Sequence, residues 1–187
     1  MVATARHHRY TYAEYVSLEQ HSPIRHEFID GEIYAMAGGT PEHAALAAVT
    51  LRLIGNQLPS GRRAYTSDLR VRIDASDLTT YPDGAVVCGR VAPATNDSLA
   101  ATNPVVLIEV TSPSTEAYDR GAKVDHYKRL ASVRDILILS HDERHATLHH
   151  RENDGSWSIS SARDGETLQL RSIGATLEVS ALYADLA

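Results

Sequence analysis

Hydrophobic and polar positions change period several times along the chain, and each change marks an element. Residues 10–20, YTYAEYVSLEQ, read as a short helix opened by Thr11, whose hydroxyl suits an N-cap. Residues 24–37 read as a hairpin turning at Asp30-Gly31, a pair that tolerates positive φ. Thr40-Pro41 then supplies an N-cap followed by proline at the first helical position. Leu46, Val49, Leu53, Ile54 and Leu58 recur at helical spacing, which predicts a helix reaching Leu58. Three strand-like runs follow: the alternating RAYTSDLRVRID, then YPDGAVVC, then the continuous apolar run PVVLIEV, which predicts a buried central strand. Between the last two, residues 89–103 are small and polar and predict a mobile loop or lid. Ser112-Pro113-Ser114-Thr115 predicts the cap of a second helix running to about Leu130. DILILS reads as another buried strand, HDER as a turn, and ATLHHRE and WSISSAR as further strands. No repeat or linker interrupts this order. It predicts one α/β (α+β) domain over residues 1–187, a mixed central sheet flanked by helices, with an N-terminal hairpin and a C-terminal β extension and a core at about residues 40–140.

Composition narrows the setting. A chain of 187 residues can bury a core without covalent staples, and Cys88, its one cysteine, rules out an internal disulfide and fits a reducing compartment. No run approaches the roughly 18 apolar residues of a membrane span, and MVATARHHRYTY lacks the apolar centre of a signal peptide. A cytoplasmic protein without membrane contact is the expectation. The formal net charge of −6 is unlike that of a typical nucleic-acid binder, although Gly61-Arg62-Arg63 and Arg70 to Arg72 could form a local positive rim. Lysine is scarce: Lys123 and Lys128 are the only two.

The candidate chemistry begins with Asp83, which follows Pro82 at the head of a strand, and Glu109, which sits inside an apolar run. A carboxylate in such a run is costly unless a charge partner or a metal compensates it. If the two strands are neighbours, both carboxylates meet at one sheet edge and offer hard oxygen ligands for Mg²⁺ or Mn²⁺. The competing reading pairs Glu109 with an arginine and leaves Asp83 capping a turn. On a helical wheel Lys123 lies within about 40° of Tyr127 and Leu130, so it faces the protein and can reach that edge. Pairing with Asp119 on its own helix is the alternative. The histidines His141, His145, His149 and His150 fall on a predicted hairpin, not on a helix, and so lack the spacing of a zinc-protease motif. Cys88 reads as a core thiol, and Tyr10, Tyr12 and Tyr15 as packing residues.

The strings HEFIDGEIYAMAGGTPEH, YPDGAVV, VLIEVTSPST and YDRGAKVDHYKRL together resemble the bacterial Uma family of predicted restriction endonucleases, within the PD-(D/E)xK superfamily. The resemblance runs from about Tyr10 to the C-terminal helix and implies a restriction-endonuclease-like fold. The superfamily motif would fall on Pro82-Asp83 and Glu109-Val110-Thr111, with Thr111 where the superfamily usually has lysine. The Uma family places that lysine on the following helix, and Lys123 matches it. The resemblance also draws in Glu27 and His43 beside the metal, and Asp68 more weakly. It implies that Asp83, Glu109 and the Val110 carbonyl hold Mg²⁺ or Mn²⁺ while Lys123 orients a water for phosphodiester hydrolysis. DNA is favoured over RNA as substrate, and a homodimer is expected because two symmetry-related sites cut a duplex most simply. Two other readings stay open: a catalytically weak nuclease-fold binding or regulatory module, and a hydrolase acting on a small phosphorylated substrate.

Overall fold

The structure is a computed structural model and describes residues 8–36, 38–184 and 186. Residues 1–7, on which the reading of the N-terminus partly rests, and residue 37, the end of the predicted hairpin, lie outside the described residues.

Local sequence signals account for the first elements. Helix α1 (Tyr12–His21) opens with a reciprocal cap, in which Thr11 accepts the Glu14 N–H and the Glu14 carboxylate accepts the Thr11 N–H. Strands β1 (His26–Ile29) and β2 (Glu32–Ala35) form an antiparallel hairpin whose turn places Asp30 at φ 46° and Gly31 at φ 82°. Helix α2 (Pro41–Gly55) starts as expected, with the Thr40 hydroxyl accepting the His43 N–H, but it ends before Leu58. Leu58 still packs on the core from the turn beyond, which is why the apolar spacing overran the helix.

Of the remaining strands, the last two pair as a third sheet and the others divide between two sheets. These are β3 (Arg62–Thr66), β4 (Arg70–Ile73), β5 (Leu78–Thr80), β6 (Gly84–Cys88), β7 (Pro93–Ala94), β8 (Asp97–Ala101) and β9 (Pro104–Val110). Helices α3 (Glu116–Arg120) and α4 (Ala122–Lys128) then lead to β10 (Asp135–Leu139), β11 (His145–Arg151) and β12 (Trp157–Arg163). The hairpin β13 (Thr167–Leu170) and β14 (Ala175–Glu178) and the short helix α5 (Val179–Leu182) close the chain. The central sheet has the order β12-β11-β10-β9-β6-β3, and the second sheet β2-β1-β5-β4-β8-β7. Within the central sheet β9 and β10 run parallel, joined through α3 and α4.

Alternation along β9 explains the layering. Val106, Ile108 and Val110 pack with Leu46 and Ile54 of α2 and with Leu168, Leu177 and Leu182 of the C-terminal segment. Leu107 packs on the opposite face with Val124 and Tyr127 of α4 and with Val71, Ile73 and Leu78 of the second sheet. Each fully buried Leu, Ile or Val of these layers contributes about 1.5–3 kcal/mol. Glu109 shares the face of Leu107, so the sheet that buries it also aims it at α4.

Four expectations are corrected. The run RAYTSDLRVRID is two strands in different sheets, because Leu69 and its neighbours turn the chain between β3 and β4. Residues 89–103 are not a free lid: β7 and β8 extend the second sheet, β8 pairs with β4, and Asp97 is buried against Arg70. The helix after Thr115 is broken into α3 and α4 at Gly121, where a Cβ would stand 2.9 Å from the Ala117 carbonyl oxygen. Arg70 and Arg72 do not form a positive rim. Both are buried, Arg70 bonded to Asp97 and Tyr81, and Arg72 to Asp74, Asp77 and Thr79. Among the described residues no helix is long and apolar enough to cross a membrane.

Candidate active site

A cleft of about 1450 Å³ opens where the C-terminal end of β9 meets the N-terminal hairpin and the starts of α2 and α3. Glu109 lies at its floor, 3 % exposed. Its two oxygens have separate partners: Oε2 stands 3.0 Å from Lys123 Nζ, and Oε1 accepts the hydroxyl of the fully buried Tyr127. Burial pushes the Glu109 carboxyl up to about 8. The Lys123 charge opposes that rise, while Asp83 and Asp119 add to it.

Lys123 lies on the first turn of α4 and is 6 % exposed. Besides Glu109 it meets Asp119 at 3.5 Å and Glu27 at 3.6 Å. Burial alone would lower its pKa, but Glu109, Glu27 and Asp119 outweigh burial and hold the ammonium charged. Both sequence readings of Lys123 are therefore realised at once, the inward reach to the strand and the pairing along its own helix. Glu27 arrives from β1 of the second sheet, where the Thr80 hydroxyl also bonds it, so the cluster bridges the two sheets.

Asp83 precedes β6, and its Oδ2 accepts the Val110 N–H at 2.8 Å. The pairing of β6 with β9 places Gly84 opposite Ile108, which brings Asp83 to the strand end that carries Glu109 and Val110. His43 projects from the first turn of α2. Its Nε2 donates to the Val110 carbonyl at 3.0 Å and lies 3.2 Å from Asp83 Oδ2. The bond to Asp83 raises the His43 pKa, partly offset by burial. Gly39 makes room for this ring, since a Cβ there would fall 2.7 Å from His43 Nδ1.

Asp83, Glu109, Lys123, Glu27 and His43 thus come together. Thr111 is fully buried at the strand end and lines the cleft, its hydroxyl tied to His141 Nδ1 at 2.9 Å. Asp68 does not join them: its carboxylate is 77 % exposed and bonds Arg25 and Thr66. Sequence reasoning missed Tyr127 as the second partner of Glu109. Its position one turn after Lys123 on the same face was the available signal. It also missed Thr80 and His141, which only strand pairing brings near.

The oxygens of Asp83 and Glu109 with the Val110 carbonyl form an all-oxygen donor set suited to a hard divalent cation. Four carboxylates, Glu27, Asp83, Glu109 and Asp119, surround one ammonium and one imidazole, an excess of negative charge that such a cation would neutralise. Among the described residues no group of three or more His, Cys, Asp or Glu side chains is placed to hold a metal ion by itself, so the fit rests on Asp83, Glu109 and the Val110 carbonyl.

The model of the family Uma2, described as "Putative restriction endonuclease", matches residues 12–181. An uncharacterized protein of Synechocystis sp. is 36 % identical over 176 residues, spanning 93 % of this chain and 91 % of that protein. A second Synechocystis protein, also uncharacterized, is 30 % identical over 152 residues, spanning 80 % of this chain and 85 % of that one. A crystal structure from Anabaena variabilis, described as "a putative nuclease belonging to DUF820", superposes with a TM-score of 0.75 at 17 % identity, covering 91 % of this chain and 96 % of that one. At that identity the likeness is one of fold.

Proposed function

The chain belongs to the Uma2 family, and from that premise we propose that it is a Mg²⁺- or Mn²⁺-dependent endonuclease that hydrolyses phosphodiester bonds of DNA. The observation that carries the reading is the convergence of Asp83, Glu109 and Lys123 from three separate elements at one strand end in an open cleft. The size of the cleft favours a polymer over a small phosphorylated substrate.

In this reading Asp83, Glu109 and the Val110 carbonyl hold the cation. When bound, it supplies charge neutralisation at a phosphate oxygen and a lowered pKa for a coordinated water. Lys123 orients the attacking water and stabilises charge on the phosphate oxygens. Tyr127 and Lys123 grip opposite oxygens of Glu109 and fix its rotamer, as positioning groups should. Glu27 steadies the ammonium, and His43 steadies Asp83 and the Val110 carbonyl. Two copies related by a twofold axis would cut both strands of a duplex.

A second reading, a binding or regulatory module without catalysis, is favoured by the net charge of −6 and by the withdrawal of Arg70 and Arg72 from the surface. Cleavage of supercoiled plasmid with Mg²⁺ or Mn²⁺ separates the two. Asp83→Ala, Glu109→Ala and Lys123→Ala are run alongside, each checked for folding by circular dichroism. Metal-dependent nicking by the wild type, lost in all three variants, is the expected result. Wild type and variants alike inactive with every metal would leave the binding module as the better account.

A further inference from the structure

The opposite end of the central sheet carries a second polar recess of about 500 Å³, lined by Arg134, Arg151, Arg171, His150 and Ser172. In β9 and β10, Asp135 pairs with Val106 whereas Ile138 pairs with Glu109. The recess thus begins three residues back from the cleft, roughly 10 Å at about 3.3 Å per residue. A fourth arginine, Arg62 on β3, reaches the same wall by donating to the Ser172 carbonyl at 3.2 Å. Three arginines therefore line the recess and a fourth bonds its wall, in a chain whose net charge is −6.

Their local compensation is incomplete. Glu152 meets Arg171 at 3.6 Å. Asp135 is fully buried and already engaged, accepting from His150 Nδ1 at 2.6 Å and from the Ser172 N–H and hydroxyl. Asp135 acts as the organiser of the recess: it pins His150 and Ser172, and so sets the places of Arg151 and Arg171, which follow and precede them in the chain. The Arg151 guanidinium is locked by the carbonyls of Lys128, Leu130 and Ala131 at the end of α4, while its buried Nε has no partner among the described residues. The exposed Arg134 side chain likewise has no carboxylate or hydrogen-bond partner among the described residues. Its backbone is held on both sides, by Val105 and Arg151, which places the residue at the mouth. Burial and the charge of Arg134 both lower the pKa of Arg151, as expected where like charges are held together without a counterion.

We infer that this recess is a phosphate-binding site distinct from the carboxylate cleft, with Arg134 and Arg171 supplying the forked donors that match phosphate oxygens. The inference stands whether or not the chain cuts nucleic acid. Its ligand is a phosphate group, carried either by a nucleic-acid backbone or by a small phosphorylated compound.

Inorganic phosphate titrated into the full chain in EDTA, followed by calorimetry and by backbone amide shifts, tests it with the cleft chemistry silent. Saturable binding that moves the Arg134 and Ser172 amides is expected. It should weaken about tenfold or more in the double variant Arg134→Ser/Arg171→Ser and stay unchanged in Asp83→Ala. Both arginine side chains are solvent-facing, and the single variant Arg134→Ser provides the same comparison with a smaller perturbation. Displacement of phosphate by a short DNA duplex would identify a nucleic-acid backbone as the source, and retention of phosphate would identify a small phosphorylated ligand. Absence of phosphate binding to the wild type, or equal binding by the arginine variants, would overturn the inference.

Discussion

Lys123 Nζ on α4 stands 3.0 Å from Glu109 Oε2 on β9, an ion pair in which both partners are almost wholly buried. Such a pair repays its desolvation only when further partners complete it. Here Tyr127 takes the other Glu109 oxygen, and Asp119 and Glu27 share the ammonium. The arrangement is conditional on every member.

Lys123→Met is expected to abolish cleavage and to destabilise the fold by about 3–5 kcal/mol, because it leaves Glu109, Glu27 and Asp119 facing one another without a counter-charge. Urea unfolding at pH 9 and pH 5 checks the cause. The loss should shrink at the lower pH, where the Glu109 carboxyl, pushed up to about 8 by burial, is protonated. An equal loss at both pH values would point to packing.

Tyr127→Phe removes only a hydroxyl, yet that hydroxyl is buried against Glu109. A loss of about 1–3 kcal/mol in thermal or urea unfolding is expected, together with weaker Mn²⁺ affinity as Glu109 loses one of its two restraints. Unchanged stability and metal affinity would show that Lys123 alone positions the carboxylate.

In EDTA the pH dependence has a defined sign. The folded Glu109 carboxyl is pushed up to about 8 by burial, against about 4.3 for an unfolded glutamate, and the His43 pKa is also raised. The folded state therefore holds more protons than the unfolded one. This contribution is complete below the unfolded values and fades as pH rises through the folded ones, between about pH 4.3 and pH 8 for Glu109. Unfolding free energies of the wild type and Glu109→Gln, measured from pH 4 to pH 9, should diverge across that window by an amount on the order of 5 kcal/mol. Parallel curves would contradict the raised carboxyl.

Two adjacent glycines offer a matched comparison. A Cβ at Gly39 would meet His43 Nδ1 at 2.7 Å, whereas one at Gly38 meets nothing within 4 Å. Gly39→Ala should displace the imidazole from Val110 and Asp83 and lower cleavage about tenfold or more, with Gly38→Ala near wild type. Equal activity in both would remove His43 from the positioning machinery.

Much of the site was legible because each signal is local. A carboxylate inside PVVLIEV, a Pro-Asp at a strand start and a scarce lysine on the apolar face of its helix each violate the ordinary segregation of polar from apolar residues. The helix caps at Thr11 and Thr40 and the Asp30-Gly31 turn depend on neighbours within four residues, and all three form as read. The misread segments depend on partners far away in the chain. Residues 89–103 look like a loop until Asp97 meets Arg70 and β8 pairs with β4, and Arg70 and Arg72 look like surface charge until the second sheet buries them.

The sequence by itself determined the capped helix starts, the Asp30-Gly31 turn, the buried strands and the chemical types at the cleft, because period, capping and turn preference are set by neighbouring residues. Only the tertiary structure decided that β1 to β12 split into two sheets, that Glu27 of the second sheet reaches Lys123 on α4, and that Asp68 stays outside. Strand pairing and buried charge compensation act between residues distant in the chain, and no local pattern encodes which distant partner pairing will bring near.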